Sequence, residues 1–135
     1  MRTSLKKTKI LIVEEYQGIV QIFRRLLRNA PEIEIVWEAR SNLEAQVAVE
    51  LCKPDLILMT FPPSWRQGIK IWKEFKGQAP DCKLLALMPS EHALQVRQAN
   101  GLEVTFLAKE EMVRFLVPTI RNVIEPSKLE KCSQG

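Results

Sequence analysis

The strongest structural signal in the chain is the segment Lys53-Pro54-Asp55-Leu56-Ile57-Leu58-Met59-Thr60. Its lysine and proline end a preceding helix, because a residue before proline is disfavoured in the helical conformation. The apolar residues from Leu56 to Met59 show no polar alternation, which is typical of a strand buried on both faces. Pro62, Pro63 and Ser64 then indicate a loop. Such a strand favours a parallel sheet that is covered on both faces.

Four other segments on either side of this one have the character of short strands. They are Lys9 to Val13, Ile33 to Trp37, Lys83 to Met88 and Val104 to Leu107. The first is a β-branched run suited to a doubly buried strand. The sequence therefore predicts five short strands.

Helices are predicted between these strands by apolar residues at helical spacing. The buried faces are expected to carry Ile19, Phe23, Leu26 and Leu27 in the first, Leu43, Val47 and Leu51 in the second, Ile69, Trp72 and Phe75 in the third, and Leu116, Ile120, Val123 and Ile124 in the last. Ser41 or Asn42 can cap the second helix, and Ser90 can cap a fourth one through Asn100. Pro118 predicts that the last helix starts late or kinks.

Five strands that alternate with five helices predict a flavodoxin-like, doubly wound α/β domain, since short right-handed crossovers leave few other arrangements. In such sheets functional groups gather beyond the carboxyl ends of the strands. The positions to consider are Glu14-Glu15, Thr60 to Pro63, Met88 to Ser90, and Lys109.

Composition excludes several classes of protein. With 135 residues the chain fits one domain, and 46% hydrophobic and 27% charged residues indicate a globular protein. Apolar runs stay far below the about 20 residues of a membrane span, so we expect a cytoplasmic protein without a membrane partner. The net charge of +4 is a mild excess that does not identify nucleic acid as a partner. The three cysteines lack the spacing of a metal or redox site.

The chain resembles the receiver domain of response regulators. The resemblance rests on Lys9-Ile-Leu-Ile-Val-Glu-Glu15, on Lys53-Pro-Asp-Leu-Ile-Leu-Met-Thr60, on Gly68 and on Phe106-Leu-Ala-Lys109, and it spans roughly residues 8 to 125. It implies a CheY-like sheet with strand order 2-1-3-4-5. We expect a basic tail over residues 1–8, a receiver-like domain over 9–125, and a tail or the start of a linker over 126–135.

The resemblance also implies a phosphorylation pocket. Family receivers hold Mg²⁺ with two acidic residues after the first strand, and they accept phosphate on an aspartate that ends the third. A Thr or Ser ends their fourth strand and a lysine their fifth. The corresponding residues here are Glu14 and Glu15, Thr60, Met88 and Lys109, with Phe106 at the position of the switch aromatic residue.

Several of these residues depart from the family pattern. The hydroxyl of Thr60 cannot form the mixed anhydride that a carboxylate forms with phosphate, so aspartyl phosphorylation at this position is excluded. Met88 brings no hydroxyl group to the pocket. Glu110 replaces a proline, and we expect the peptide bond before it to be trans. No metal site is expected, although Glu14 and Glu15 are weak candidates for Mg²⁺.

Simpler interpretations of the same residues stay open. Glu14 and Glu15 can be solvated residues at a strand end, and Lys109 can pair with a glutamate. Thr60 can satisfy local backbone hydrogen bonds or be the target of a serine/threonine kinase. His92 is expected to be a surface residue.

The sequence predicts a degenerate receiver domain of two-component signalling or a phosphorelay that binds another protein and is not an enzyme. A histidine kinase, an output protein or a second copy is the expected partner. Resemblance places the contact surface on the predicted fourth helix, fifth strand and last helix, around Val96, Phe106 and Leu116.

Two alternatives remain. In one, the chain is the receiver part of a DNA-binding regulator or touches nucleic acid through Lys6, Lys7 and Lys9, although residues 127–135 are too short for a helix-turn-helix. In the other, phosphotransfer persists at Glu14, Glu15 or Asp55, the last of which begins the third strand at the opposite edge of the sheet.

Overall fold

The computed structural model describes residues 7–89 and 104–124. The elements in chain order are β1 (Thr8–Val13), α1 (Gln17–Leu27), β2 (Ile33–Ala39), α2 (Asn42–Cys52), β3 (Leu56–Thr60), α3 (Trp65–Gln78), β4 (Lys83–Met88), β5 (Val104–Ala108) and α4 (Met112–Ile124). A single 3₁₀ turn, Lys109–Glu111, joins β5 to α4. The helix predicted from Ser90 to Asn100 lies outside the described residues.

The five strands form one parallel sheet in the order β2-β1-β3-β4-β5. The predicted fold and strand order are confirmed. In the sheet, β2 lies on one side of β1 and β3 lies on the other. The connection after β1 leads to β2 and the connection after β3 leads to β4, so these two connections run in opposite directions. A crevice therefore opens at the carboxyl ends of β1 and β3, as in other doubly wound sheets.

Apolar side chains cover both faces of the sheet. Leu11, Ile57 and Leu84 contribute to the core beneath α2 and α3, while their neighbours contribute to the core beneath α1 and α4. In β3, both Ile57 and Leu58 are fully buried although they point to opposite faces. Burial on both faces explains the unbroken apolar character of the strands.

The prediction of which face of α2 is buried is wrong. The helix buries Ala45, Ala48 and Val49, whereas Leu43, Val47 and Leu51 point to solvent. Two alanines leave room for α2 to lie close to the sheet, and the helix has apolar residues on two of its faces. Ser41 is the N-cap, since its Oγ accepts a hydrogen bond from the backbone N of Glu44 at 3.1 Å.

Helix α4 begins at Met112 and continues through Pro118, so the predicted late start is wrong. Proline removes one backbone hydrogen bond from a helix interior. Leu116 and Ile120 are fully buried on this helix and contribute to the core beneath it. Tertiary packing therefore holds a helical segment that proline disfavours locally.

Among residues 7–89 and 104–124, no helix has the length and apolar character required to cross a bilayer. The longest of the described helices, α3, has 14 residues.

Candidate functional site

A cleft of about 640 Å³ lies at the carboxyl ends of the strands, where the doubly wound fold predicts a site. We call it the carboxyl-end cleft. Its walls come from the segments after β1, β3 and β5 and from the first turn of α2, and its polar lining includes Glu14, Glu15, Arg40, Asn42, Thr60 and Lys109. Four of the predicted pocket residues therefore lie at one cleft. Met88 is buried in the core at the end of β4 and does not line it.

Glu14 is the buried charged residue at the centre of this site, with 5% of its surface exposed. The Thr60 hydroxyl donates a hydrogen bond to its Oε1, and the backbone N of Tyr16 donates one to its Oε2 at 3.1 Å. Each carboxylate oxygen thus has a partner, which offsets the cost of removing the carboxylate from water. The expectation of a solvated Glu14 is wrong, and the Thr60 side chain bonds to a carboxylate and not to the local backbone.

Strand register explains how these two side chains meet. Val13 of β1 pairs with Met59 of β3, so the next residue of each strand lies at the same edge of the sheet. The backbone N of Glu14 also donates to the carbonyl oxygen of Ala39 at 2.9 Å, which fixes this residue to the end of β2. The short β1–α1 connection then turns the Tyr16 amide back toward the Glu14 carboxylate.

Glu15 and Lys109 line the cleft from its exposed rim. No ion pair joins Lys109 to Glu14 or Glu15 in the part of the chain that the structure describes, so the predicted pairing with either of these is wrong. Lys109 begins the 3₁₀ turn after β5, and the peptide bond that follows it is trans. Two neutral donors already form hydrogen bonds to the carboxylate oxygens of Glu14, so these oxygens have partners without an ion pair to Lys109.

The donor set of the cleft does not fit a Mg²⁺ site. Within the described ranges, no group of three or more His, Cys, Asp or Glu side chains is placed to hold a metal ion. Of the two carboxylates, Glu14 is already bonded through both oxygens and Glu15 is exposed. Thr60 contributes no negative charge. A hard divalent cation favours several oxygen ligands with charge among them, which this arrangement does not offer.

Phe61 belongs to the segment Thr60 to Pro63 that the sequence analysis selected, but its packing was not predicted. Its ring lies edge-on to that of Phe106, with centroids 5.7 Å apart and an interplanar angle of 81°. The same ring covers Gly68 so closely that a Cβ at position 68 would lie 2.7 Å from it. A glycine inside an otherwise regular helix was the available signal, since such a residue often marks a close approach. Phe61 thus links the segment after Thr60 to β5.

The predicted contact surface around Val96, Phe106 and Leu116 needs correction. Leu116 is fully buried and belongs to the core, because the inward face of α4 carries it. Val96 lies outside the described residues, and Phe106 is half-buried against the core. The exposed large apolar side chains of α4 are Val113 and Phe115.

Glu44 connects β2 and the segment after it to the first turn of α2, at the rim of the cleft. Its carboxylate accepts hydrogen bonds from Trp37 Nε1 at 2.9 Å and from the backbone N of Arg40 at 3.1 Å. These two donors lower the pKa of Glu44, the indole contributing most. The contacts tie the end of β2 to the first turn of α2.

Asp55 lies at the opposite edge of the sheet, as predicted. Its Oδ2 accepts a hydrogen bond from the backbone N of Lys9 at 2.8 Å, at the amino ends of β1 and β3. The length of the strands separates it from the carboxyl-end cleft.

The chain is similar in sequence to known bacterial regulatory proteins. No family model matches the chain. Over 96 residues it is 32% identical to the uncharacterized transcriptional regulatory protein YhcZ of Bacillus subtilis, covering 69% of this chain and 45% of that protein. Over 130 residues it is 26% identical to the response regulator protein VraR of Staphylococcus aureus, covering 91% of this chain and 62% of VraR. The chain thus spans about half of the length of these relatives.

Solved structures share the fold. The receiver (REC) domain of AraT from Geobacillus stearothermophilus superposes with a TM-score of 0.74 at 21% identity, covering 92% of this chain and 98% of that domain. The response regulator domain of Thermotoga maritima CheB gives a TM-score of 0.72 at 18% identity, covering 87% and 96%. The chain therefore has the CheY-like fold of response regulator receiver domains. Within that class, it carries threonine at the end of β3.

Proposed function

We propose that this chain is a receiver domain of two-component signalling that acts through protein contacts, without phosphorylation at residue 60. The observation that carries the proposal is the hydrogen bond from the Thr60 hydroxyl to Glu14. It lies at the end of β3, where the resemblance to receiver domains implies an acceptor aspartate. The CheY-like fold and the similarity to response regulators support the assignment to signalling.

The chemistry of a hydroxyl group at position 60 supports a function that does not depend on phosphorylation there. An alcohol cannot replace a carboxylate in forming an acyl phosphate. The same hydroxyl occupies one oxygen of Glu14, the carboxylate that in the family pattern would face a metal. Met88 adds no hydroxyl at the end of β4. In this proposal, the hydrogen-bonded pair of Thr60 and Glu14 takes the place of the family's phosphorylation pocket.

A protein is the partner that we infer, either a histidine kinase or an output protein, and the chain is not expected to catalyse turnover. Its contact surface would include the β5 and α4 region, where Phe106 is half-buried and Val113 and Phe115 are exposed. The receiver-like domain would span residues 9–125 and work in the cytoplasm.

Incubation with acetyl phosphate and Mg²⁺, followed by intact mass measurement, tests the proposal. The wild-type chain should gain no phosphoryl group. Thr60→Asp restores the acceptor carboxylate and serves as the matched variant, and Thr60→Val, which has no hydroxyl, is the negative control. Rapid acid-labile labelling of the wild-type chain on a carboxylate would overturn the proposal.

A second candidate is the receiver part of a DNA-binding regulator, because YhcZ is named a transcriptional regulatory protein and is longer than this chain. Direct contact with DNA through the basic residues near β1 has less support, since Lys9 Nζ already donates to the carbonyl oxygen of Cys52 at 3.0 Å. A gel shift at low salt tests whether this chain contacts DNA directly. Binding through phosphate contacts would be visible at low salt and would weaken steeply as the salt concentration rises. The absence of any shift would remove direct contact.

Residual phosphotransfer at another carboxylate is the third candidate. Asp55 lies at the far edge of the sheet and Glu14 is engaged by two donors, so Glu15 is the carboxylate that remains accessible. The acetyl phosphate experiment on Glu15→Gln tests it, since label that persists in the wild type and disappears in this variant would locate the acceptor.

A further inference from the structure

Phe61 has a backbone that is fixed by the sheet, although it follows the last residue of β3. Its backbone N donates a hydrogen bond to the carbonyl oxygen of Leu87 at 2.9 Å, so the pairing with β4 continues one residue beyond Thr60. Its side chain is 5% exposed and lies in the core beneath α2 and α3, as the alternation of side chains after Ile57 and Met59 requires. The position of the Phe61 ring therefore follows from the strand.

The Phe61 ring lies directly against the backbone of α3. The three atoms nearest to a Cβ at position 68 would all belong to this ring, at 2.7 to 2.8 Å. Any residue larger than glycine would force the ring or the helix to move. Glycine is less stable than alanine in a helix interior. Gly68 thus weakens α3 locally and leaves the space that the ring fills.

The same ring contacts Phe106 of β5, two strands away in the sheet. Strand β4 lies between them, and its Ala86 pairs with Phe106. Ala86 is fully buried and has only a methyl group, which leaves room for the two rings to meet across β4. Their centroids are 5.7 Å apart at an interplanar angle of 81°, the edge-to-face arrangement that aromatic pairs favour. One rigid ring therefore contacts both α3 and β5.

We propose that Phe61 is a positioning residue that holds the side chain of Phe106 in a single, half-buried orientation. Rotation of Phe106 toward solvent would break the edge-to-face contact and expose apolar surface of both rings. An exposed aromatic side chain without such a partner exchanges between rotamers within nanoseconds. Phe106 is instead packed against the core. The conformation of this part of β5 is then set by packing between elements.

This inference rests on the proposed function, because Phe106 belongs to the proposed contact surface. It states what keeps that surface in one conformation without phosphorylation. Phe61 also lines the carboxyl-end cleft, but its backbone is bonded to β4 and its ring is enclosed between α3 and β5. The orientation of Phe106 is measured with no partner present, so its test is separate from that of the proposed function.

NMR of the isotope-labelled full chain tests the proposal. Three-bond couplings from the backbone nitrogen and carbonyl carbon to the ring Cγ report whether the χ1 angle of Phe106 is fixed or averaged. In the wild-type chain they should match one staggered rotamer. Phe61→Leu keeps the position apolar but removes the aromatic contact, and should shift these couplings toward an average over rotamers. Phe23→Leu, the same change at a fully buried phenylalanine on the other face of the sheet, is the matched control and should leave them unchanged.

A methyl group on α3 tests the same contact from the side of the helix. Gly68→Ala should displace the Phe61 ring, and the chemical shifts of the Phe106 ring protons should change with it. Gly77→Ala, whose Cβ would meet no atom within 4 Å, should leave those shifts unchanged. Circular dichroism verifies that each variant is folded. The glycine pair decides the test if Phe61→Leu does not fold.

Three results would overturn the proposal. The first is an averaged χ1 angle of Phe106 in the wild-type chain, and the second is a Phe106 that responds neither to Phe61→Leu nor to Gly68→Ala. The third is an equal response to Phe23→Leu, which would indicate general loosening of the domain. A fixed Phe106 in a wild-type chain that acetyl phosphate labels would support this inference and overturn only the proposed function.

Discussion

Thr60 shows how one side chain changes what a pocket can do. A carboxylate at the end of β3 would lie beside the buried Glu14, and two carboxylates in contact need either a cation between them or a proton on one of them. A hydroxyl removes that requirement, because it donates a hydrogen bond directly to the carboxylate. Threonine at position 60 thus offers no carboxylate to accept phosphate, and its hydroxyl satisfies a buried charge.

Replacement of Thr60 by valine should lower the free energy of unfolding by about 1 to 3 kcal/mol, because it leaves one oxygen of the buried Glu14 without a donor. Urea denaturation measures the change. In a Glu14→Gln background the same substitution should cost less, since the acceptor is then neutral. An equal cost in both backgrounds would show that the charge of Glu14 plays no part.

At the scale of elements, each helix has an orientation about its axis that its neighbours set. Helix α3 buries Ile69, Trp72 and Phe75 as its periodicity predicts. Helix α2 instead buries its smaller apolar face and leaves the leucines outside. Both faces have helical spacing, so periodicity alone does not distinguish them, and the volume available above the sheet makes the choice.

Two glycines of α3 allow a matched test of packing. Gly68→Ala should lower the free energy of unfolding by about 1 to 3 kcal/mol, because the new methyl group would meet the ring of Phe61. Gly77→Ala, in the same helix with no atom within 4 Å of its Cβ position, should raise it by about 0.5 to 1 kcal/mol. Thermal or urea unfolding of both variants measures the difference. Equal effects would mean that Phe61 moves aside at no cost.

At the scale of the whole molecule, two surface ion pairs among residues 7–89 and 104–124 join separate helices and strands. Arg121 of α4 binds Glu32 ahead of β2 at 2.6 Å, and Arg24 of α1 pairs with Glu38 of β2. The guanidinium groups lower the pKa of Glu32 and of Glu38, mainly through the side-chain hydrogen bond in each case. These pairs hold the two helices of one layer against the β2 side of the domain.

The free energy of unfolding should therefore decrease as the pH is lowered through the acidic range. A carboxyl whose pKa is lower in the folded chain stabilises the fold above its unfolded pKa, near 4.5 for both glutamates, and this contribution is lost as pH falls through the folded pKa. Arg121→Gln should reduce the urea midpoint slightly at pH 7, and by less at an acidic pH at which Glu32 is more fully protonated. A deficit of equal size at both pH values would assign the effect of Arg121 to packing.

Local sequence predicts much of this protein. The doubly buried apolar run of β3, the repeated alternation with amphipathic helices, and the gathering of Glu14, Glu15, Thr60 and Lys109 at one edge all follow from periodicity and from parallel topology. These properties are local or depend only on strand order, so they can be predicted from one sequence. The chemistry of an alcohol at position 60 is likewise independent of its surroundings.

The contacts between elements required the assembled domain. The bond between Thr60 and Glu14 and the contact of Phe61 with Phe106 join residues far apart in the chain. The close approach of Phe61 to Gly68 and the outward orientation of Leu43, Val47 and Leu51 are set by how the helices pack in the domain. Each depends on the distance between two packed layers and on the volume that their side chains fill. Periodicity specifies which faces of a helix are apolar, and close packing in three dimensions selects the one that is buried.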